Sequence, residues 1–330
     1  MPTSLPTAND LHVDSLLTDF AVAYGQDLRS DFVADRAFTP VRVKKQSDKY
    51  PVWSKADFFR SVMMERADGD MSAGSGFRLD TSNSYFSEVY ALHTYLTDRQ
   101  RANSESQLMV EQAKVRYLMQ QAKLKRDKVW AATAFITGVW TGVTEQTGKS
   151  SSLSTNEFLQ WNDSSSTPIS DISTQCLAVQ AATGRKPNVA VTNPVVFNHL
   201  AQHDDFLQRV KYTQTGIVTA DLMASVLGLD EIIVGSAVEN TAAESATATM
   251  ARVFGKHFLL LHRTPEMSED APTAGANFIW SDFDGVTEDG AAIMQWYDKD
   301  RKATKFEAEQ AFDPKITATD LGVMMLDATA

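Results

Sequence analysis

The sequence predicts an α+β fold organised around one very long helix. Three observations carry this expectation. A run from Ser104 to Trp140 contains no Pro and places Leu108, Val115, Met119, Ala122, Val129, Thr133, Ile136 and Trp140 at spacings of threes and fours, as one face of a helix requires. The stretch before it, residues 38–90, is strand-like but polar, with little apolar material of its own. The stretch after it alternates short apolar runs with capped helical segments, the order of a mixed α/β lobe.

The elements follow in order. Residues 1–37 read as an N-terminal arm, with Leu11, Leu16, Leu17, Phe20, Val22 and Tyr24 forming a short amphipathic piece that Gly25 ends. Coming before any evident core, this arm is expected to pack on something else. Thr39-Pro40-Val41-Arg42-Val43 alternates as a half-exposed strand does. Lys44, Lys45, Lys49 and Lys55 surround Tyr50, Pro51, Val52 and Trp53. Asp68 to Gly76 is Gly- and Ser-rich turn material, and Phe77-Arg78-Leu79 and Tyr85 to His93 return as strands. The simplest topology is a long two-armed excursion over 38–90, and loops of that length in compact domains are usually functional.

The long helix opens at Ser104-Glu105-Ser106-Gln107, a capping-box pattern, and Gly138 and Gly142 mark its end. Its length would be roughly 50 Å at about 1.5 Å per residue. Lys114, Arg116, Lys123, Lys125, Arg126 and Lys128 give it a charged face, expected to meet solvent or another subunit. Thr167 and Pro168 start a helix that Gly184 ends; Asn193 and Pro194 start another through His203, continued by Asp204–Tyr212; Thr219 caps Ala220–Leu227, stopped by Gly228. Strands are expected at Asn188–Val191, Leu229–Val234, Val253–His262, Phe278–Phe283, Ile293–Tyr297, Lys305–Ile316 and Gly322–Leu326.

Composition narrows the function classes. The chain has 330 residues, 43% hydrophobic and 22% charged, with a formal net charge of −11. That is ample for a core, and the acidic balance argues against a dedicated nucleic-acid binder, which needs a basic face. A single cysteine, Cys176, excludes an intramolecular disulfide and a cysteine-based zinc site. No secretory leader and no apolar run long enough to span a membrane are evident.

The motifs that suggest chemistry are weak. Thr147-Gly148-Lys149-Ser150 has the end of a phosphate-binding loop, but five residues separate Gly142 from Gly148 where four are needed, and a helix precedes it instead of a strand. His199 and His203 lie one helical turn apart, a spacing that suits zinc, yet Leu200 stands where a zinc protease has Glu and no third ligand is evident. No catalytic elbow or Cys/His pair appears. Catalytic residues, cofactors and metals are therefore expected to be absent. The six tryptophans, spread along the chain, suit core and interface.

The order of elements and several local runs resemble a known family. Val89 to Gln100 looks like a strand and elbow leading into a spine helix, and Leu124 to Trp130 like that helix. Lys186 to Phe197, Leu207 to Tyr212 and Leu227 to Gly235 look like an axial lobe, with Phe278-Ile279-Trp280 and Phe306 to Gln310 extending the match. Together they resemble the major capsid proteins of tailed double-stranded DNA bacteriophages, whose fold is called the Hong Kong 97 type. The resemblance implies an N-terminal arm (1–37), an extended E-loop (38–90), a peripheral domain (91–186 and 295–318) holding a spine helix at 104–140, and an axial domain (187–294 and 319–330). It implies a subunit that joins copies of itself in pentamers and hexamers, in an icosahedral virion shell around double-stranded DNA bound without sequence specificity. Scaffolding, portal or decoration proteins are the other expected partners, and the host cytoplasm is the expected place of assembly. Lys44, Lys45, Lys49, Tyr50, Trp53, Arg78 and Arg126 are the expected subunit contacts. Two alternatives stay open: an encapsulin-like compartment shell of the same fold, and a metal-dependent enzyme using His199 and His203.

Overall fold

A computed structural model of the chain describes residues 32–52, 60–66, 68–74, 76, 80, 82–104, 107–210, 218–268, 271–282 and 291–330. The expected strand at 77–79 with Arg78, and also Trp53 and Lys55, lie outside these residues. Strands are numbered β1–β15 and helices α1–α7 along the chain. The long helix, α3, runs Gln107–Ala134 and stops short of the expected 140. Trp140 causes the stop. Its ring turns back into the core and its Nε1–H donates to the carbonyl of Ala134 (2.9 Å), satisfying a C-terminal acceptor that a further turn of helix would have used. Gly138, at φ +79°, makes the reversal and donates its N–H to Glu145. A capping box stands at the start of α2 (Asp98–Ala102), where Thr97 and Gln100 bond each other's backbone N–H, and the one expected at 104–107 runs through residues outside those described.

The buried face of α3 explains why its sequence signal is faint. It runs through Val115, Leu118 and Met119 at one end and Trp130, Ala131 and Ala134 at the other. Between them, Lys123, Arg126 and Asp127 are buried too. The spacing of threes and fours is continuous once these charged residues are included. Ile136, expected on the stripe, is exposed.

Two sheets flank this helix. In the first, β14 (Ala303–Ile316) is the central strand. It pairs antiparallel with β4 (Glu88–Thr97) on one edge and with β13 (Ala291–Asp298) and β12 (Gly275–Trp280) on the other; β12 pairs parallel with β1 (Thr39–Val43). Leu96, Phe306, Ala308 and Ile293 point from this sheet onto Val115, Leu118 and Met119 of α3. The second sheet has the order β6 (Glu157–Leu159), β5 (Gln146–Lys149), β15 (Gly322–Leu326), β11 (Phe258–Leu261), β7 (Val189–Thr192), β8 (Glu231–Val234). Its central strands are buried on both faces, as their unbroken apolar runs require. Phe258 and Leu260 face the helices α4 (Pro168–Thr183), α5 (Pro194–Gln202) and α7 (Ala220–Leu227), whereas Leu259 and Leu261 face Trp130 and Trp140.

Sheet membership divides the chain differently from the expected boundaries. Residues 146–183, expected with the peripheral part, contribute β5, β6 and α4 to the second sheet and its helices. Residues 275–280, expected with the axial part, form β12 of the first. The reason is hydrogen bonding to the chain's last strand: β5 pairs parallel with β15, drawing its surroundings along. Gly322 of β15 lies against the Trp140 ring, where an added Cβ would fall 2.3 Å from a ring carbon. Gly322→Ala is therefore expected to cost about 1–3 kcal/mol by overpacking, read as a lower urea midpoint with an unchanged slope.

Candidate functional site

The last residues of the expected arm enter the core. Phe32, Val33, Ala34, Ala37 and Phe38 are buried in the same core as Trp130 and Trp140. What holds them is a polar clamp on α3. The Val33 N–H donates to both carboxylate oxygens of Asp127 (3.0 and 3.2 Å) and the Ala34 N–H to Oδ1 (2.9 Å), satisfying donors at the start of α1 (Ala34–Ala37). Asp35 accepts from Lys123 Nζ (2.7 Å) and Arg126 Nη1 (2.8 Å). Arg126 Nη2 donates to Gln310 on β14 (3.2 Å), and Gln310 donates to the Ala122 carbonyl (2.9 Å). On the far side, Arg36 and Arg263 both bind Glu231 of β8. Residues 32–38 thus tie the long helix to both sheets.

The electrostatics of the clamp are opposed. Burial alone would raise the Asp35 carboxyl, but Arg126 and Lys123 together hold it well below the usual carboxylate range. Asp127 has no such ion pair. Burial pushes it up to about 7, against the pull of the Ala34 and Val33 donors. Arg126, expected at a subunit contact, is spent inside the chain, with its guanidinium also lying over the Phe312 ring at 5.3 Å. Lys123, expected on a solvated or intersubunit face, is likewise buried.

At the root of the excursion, Tyr50 and Tyr85 pack against Phe278 of β12 with ring centroids 5.2 and 4.5 Å away. Tyr50 is therefore a core residue of the root. Beside it, β2 (Ser47–Lys49) and β3 (Ser84–Phe86) pair antiparallel. Lys44, Lys45 and Lys49 stand exposed there, Lys45 bonded to Asp48 at 3.0 Å. Farther out, apolar side chains meet water: Met63 is 95% exposed and Met71 90%. Phe86, Val89 and Leu92 on β3 and β4, and Met109 and Tyr117 on α3, are exposed as well. Solvent gives such residues no stabilisation, so a covering surface is expected.

The enzymatic alternatives lose their geometry. Nδ1 of His203 accepts from the Asp205 N–H (3.2 Å), so Nε2 carries the proton and donates to Ser166 Oγ (3.0 Å) and the Asp163 carbonyl (3.2 Å). Both nitrogens are engaged in a buried loop-to-helix network, which leaves no lone pair for zinc. Among the described residues no group of three or more His, Cys, Asp or Glu is placed to hold a metal. Gly148 and Lys149 lie in β5, and an added Cβ at Gly148 would fall 2.2 Å from the Asp327 carbonyl. That glycine serves strand packing and does not cradle phosphate. Among the described residues no helix is long and apolar enough to cross a membrane.

Comparison with known proteins agrees with this picture. The sequence matches no protein-family profile. It is 28% identical over 228 residues to the major capsid protein of Burkholderia phage BcepMu, covering 68% of this chain and 69% of that protein. A phage-related protein from Bordetella bronchiseptica RB50 superposes with a TM-score of 0.72 at 18% identity, covering 96% and 98% of the two chains. The capsid of cyanophage P-SCSP1u gives 0.54 at 9% identity over 90% and 88%. A virus-like particle from Pyrococcus furiosus gives 0.50 at 10% identity over 94% and 97%. The chain has the Hong Kong 97-type capsid fold, and over two thirds of its length it resembles a phage major capsid protein.

Proposed function

We propose that the chain is a phage major capsid protein. It assembles with copies of itself, through rings of five and six, into the icosahedral shell that encloses double-stranded DNA. One observation carries the reading: the 228-residue likeness to a phage major capsid protein, on a chain of which 90% is covered by a phage capsid structure of the same fold. The fold alone serves phage capsids and the Pyrococcus particle equally; the sequence likeness is to a phage protein and favours the phage shell over a compartment. The geometry supports a building element. Two sheets and a spine helix carry an excursion in which Met63, Met64 and Met71 are left exposed by the described residues. Copies meeting head to tail close into rings, and such contacts bury apolar side chains that a lone subunit leaves wet.

In this reading Lys44, Lys45 and Lys49, with Trp53 and Arg78, contribute to contacts between neighbours. Residence in the virion, assembly in the host cytoplasm, help from scaffolding, portal or decoration proteins, and DNA held without sequence specificity belong to it. So does the division into arm, E-loop, peripheral and axial parts. No catalysis is required. Sedimentation of the purified chain tests it: wild type is expected to run as large particles, and the double variant Met63→Glu, Met71→Glu as small species with the wild-type circular dichroism spectrum. A wild type that stays monomeric at every concentration would refute the reading.

A further inference from the structure

Near Leu96 the strand β4 lies tight on α3, through Val115, Leu118 and Met119. Toward the start of β4 the two part, and a groove of about 420 Å³ opens between Val89, Tyr90 and Leu92 on the strand and Leu118, Gln121 and Lys125 on the helix. Its floor is apolar, and Lys125 stands at its rim 4.6 Å over the Tyr90 ring. β4 pairs with β14 along one edge, and among the described residues no strand pairs with its other edge. The groove is thus bounded by a strand edge, an apolar floor and a cation.

The 31 residues that precede Phe32 match it in chemistry and in reach. They carry Asp10, Asp14, Asp19, Asp27 and Asp31 against Arg29 and His12, and Asp14 and Asp19 flank Leu16, Leu17 and Phe20. The Asp127 clamp fixes where this segment leaves the body. Asp127 is five residues beyond Ala122 on α3, about 8 Å along the axis. The twelve residues from Phe20 to Phe32 span up to about 40 Å when extended. A tether this short holds the segment at about millimolar effective concentration beside the groove, well above that of another copy's segment in dilute solution.

We propose that residues Leu11–Tyr24 dock in the β4–α3 groove of their own chain in the unassembled subunit, seating apolar side chains on the floor and aspartates toward Lys125. The inference concerns the single subunit and stands apart from shell formation.

The test is disulfide trapping in the full-length chain, on the subunit fraction that sediments apart from any particles. Leu16→Cys is paired with Leu92→Cys, and Leu16→Cys with Met250→Cys (an exposed position on another surface) serves as the control. Cys176 is buried and does not compete. The expected result is an intrachain crosslink, a faster-migrating monomer on a non-reducing gel, at least fivefold more abundant for the Leu92 pair than for the control. Adding Lys125→Glu or raising salt is expected to lower the yield severalfold. Crosslinks joining two chains, no crosslink, or equal yields for the two pairs would each overturn the proposal. A second readout does not depend on introduced cysteines: removing residues 1–24 is expected to speed amide exchange in Val89–Leu92 about tenfold, and unchanged exchange would overturn it as well. Because both readings are made on subunits, their failure leaves the shell reading to its own sedimentation test.

Discussion

Asp127→Ala is expected to destabilise the chain by about 2–4 kcal/mol, because it strands two buried backbone donors, the N–H groups of Val33 and Ala34, with no water to replace the lost acceptor. Asp127→Asn keeps an acceptor oxygen in the same place and is expected to retain most of that stability. The pair also differ in pH dependence. The Asp127 pKa is raised in the folded state to about 7, above the ordinary 3.8. Its contribution is therefore fully present below about pH 4 and is lost as pH rises through about 7. Asp35 has the opposite sign: its pKa is lowered by Arg126 and Lys123, so its contribution is present above about pH 4 and is lost as pH falls toward that lowered value. Urea unfolding at pH 5 and pH 8 checks this. Wild type is expected to lose stability between the two values, and the Asn variant to lose less. Equal pH dependence in both would show that the buried carboxyl does not titrate there.

Trp130→Ala is expected to be the costliest single substitution in the joint between the two sheets, at about 3–5 kcal/mol. Trp130 is fully buried, with its ring 5.4 Å from Phe38, 6.3 Å from Phe135 and 6.1 Å from Phe254. Those partners come from the N-terminal entry, the end of α3 and the second lobe, so one truncation loosens three segments. Its Nε1–H has no hydrogen-bond partner among the described residues. Trp130→Phe discards that unpaired donor while keeping much of the ring, and is expected to cost about 1 kcal/mol or less beyond the loss of volume. Denaturant midpoints order the three proteins as wild type, Phe, Ala; an Ala variant as stable as wild type would contradict the packing account.

What was legible in the sequence was what short-range chemistry dictates. Asn193 caps α5 and Thr219 caps α7 as their residue types predict, and Gly184 and Gly228 end helices in the left-handed conformation. Gly322–Leu326 and Thr39–Val43 are strands over the residues expected. The clamp was hidden because it violates the apolar-stripe rule. Lys123, Arg126 and Asp127 read as a solvated face, and only their partners Asp35, Val33 and Gln310, far away in sequence, make their burial tolerable. One signal was available: adding positions 118, 123, 126, 127 and 130 to the chosen stripe gives a helix face without a gap from 115 to 133, and charges inside it call for buried partners. Tyr50, expected at a subunit contact, packs on Phe278, and that partner comes from the other end of the chain, where short-range patterns do not reach. Trp140 was counted as a helical residue, and its role in ending the helix depends on Gly322, which arrives with the last strand.

The central claim is that this subunit is completed by its neighbours. Cryo-electron microscopy of the purified full-length chain tests it most directly. The account predicts closed polyhedral particles in which Met63, Met64 and Met71 of each copy lie against another copy. Its contradiction would be a lone subunit at every concentration, with those methionines folded back onto their own body.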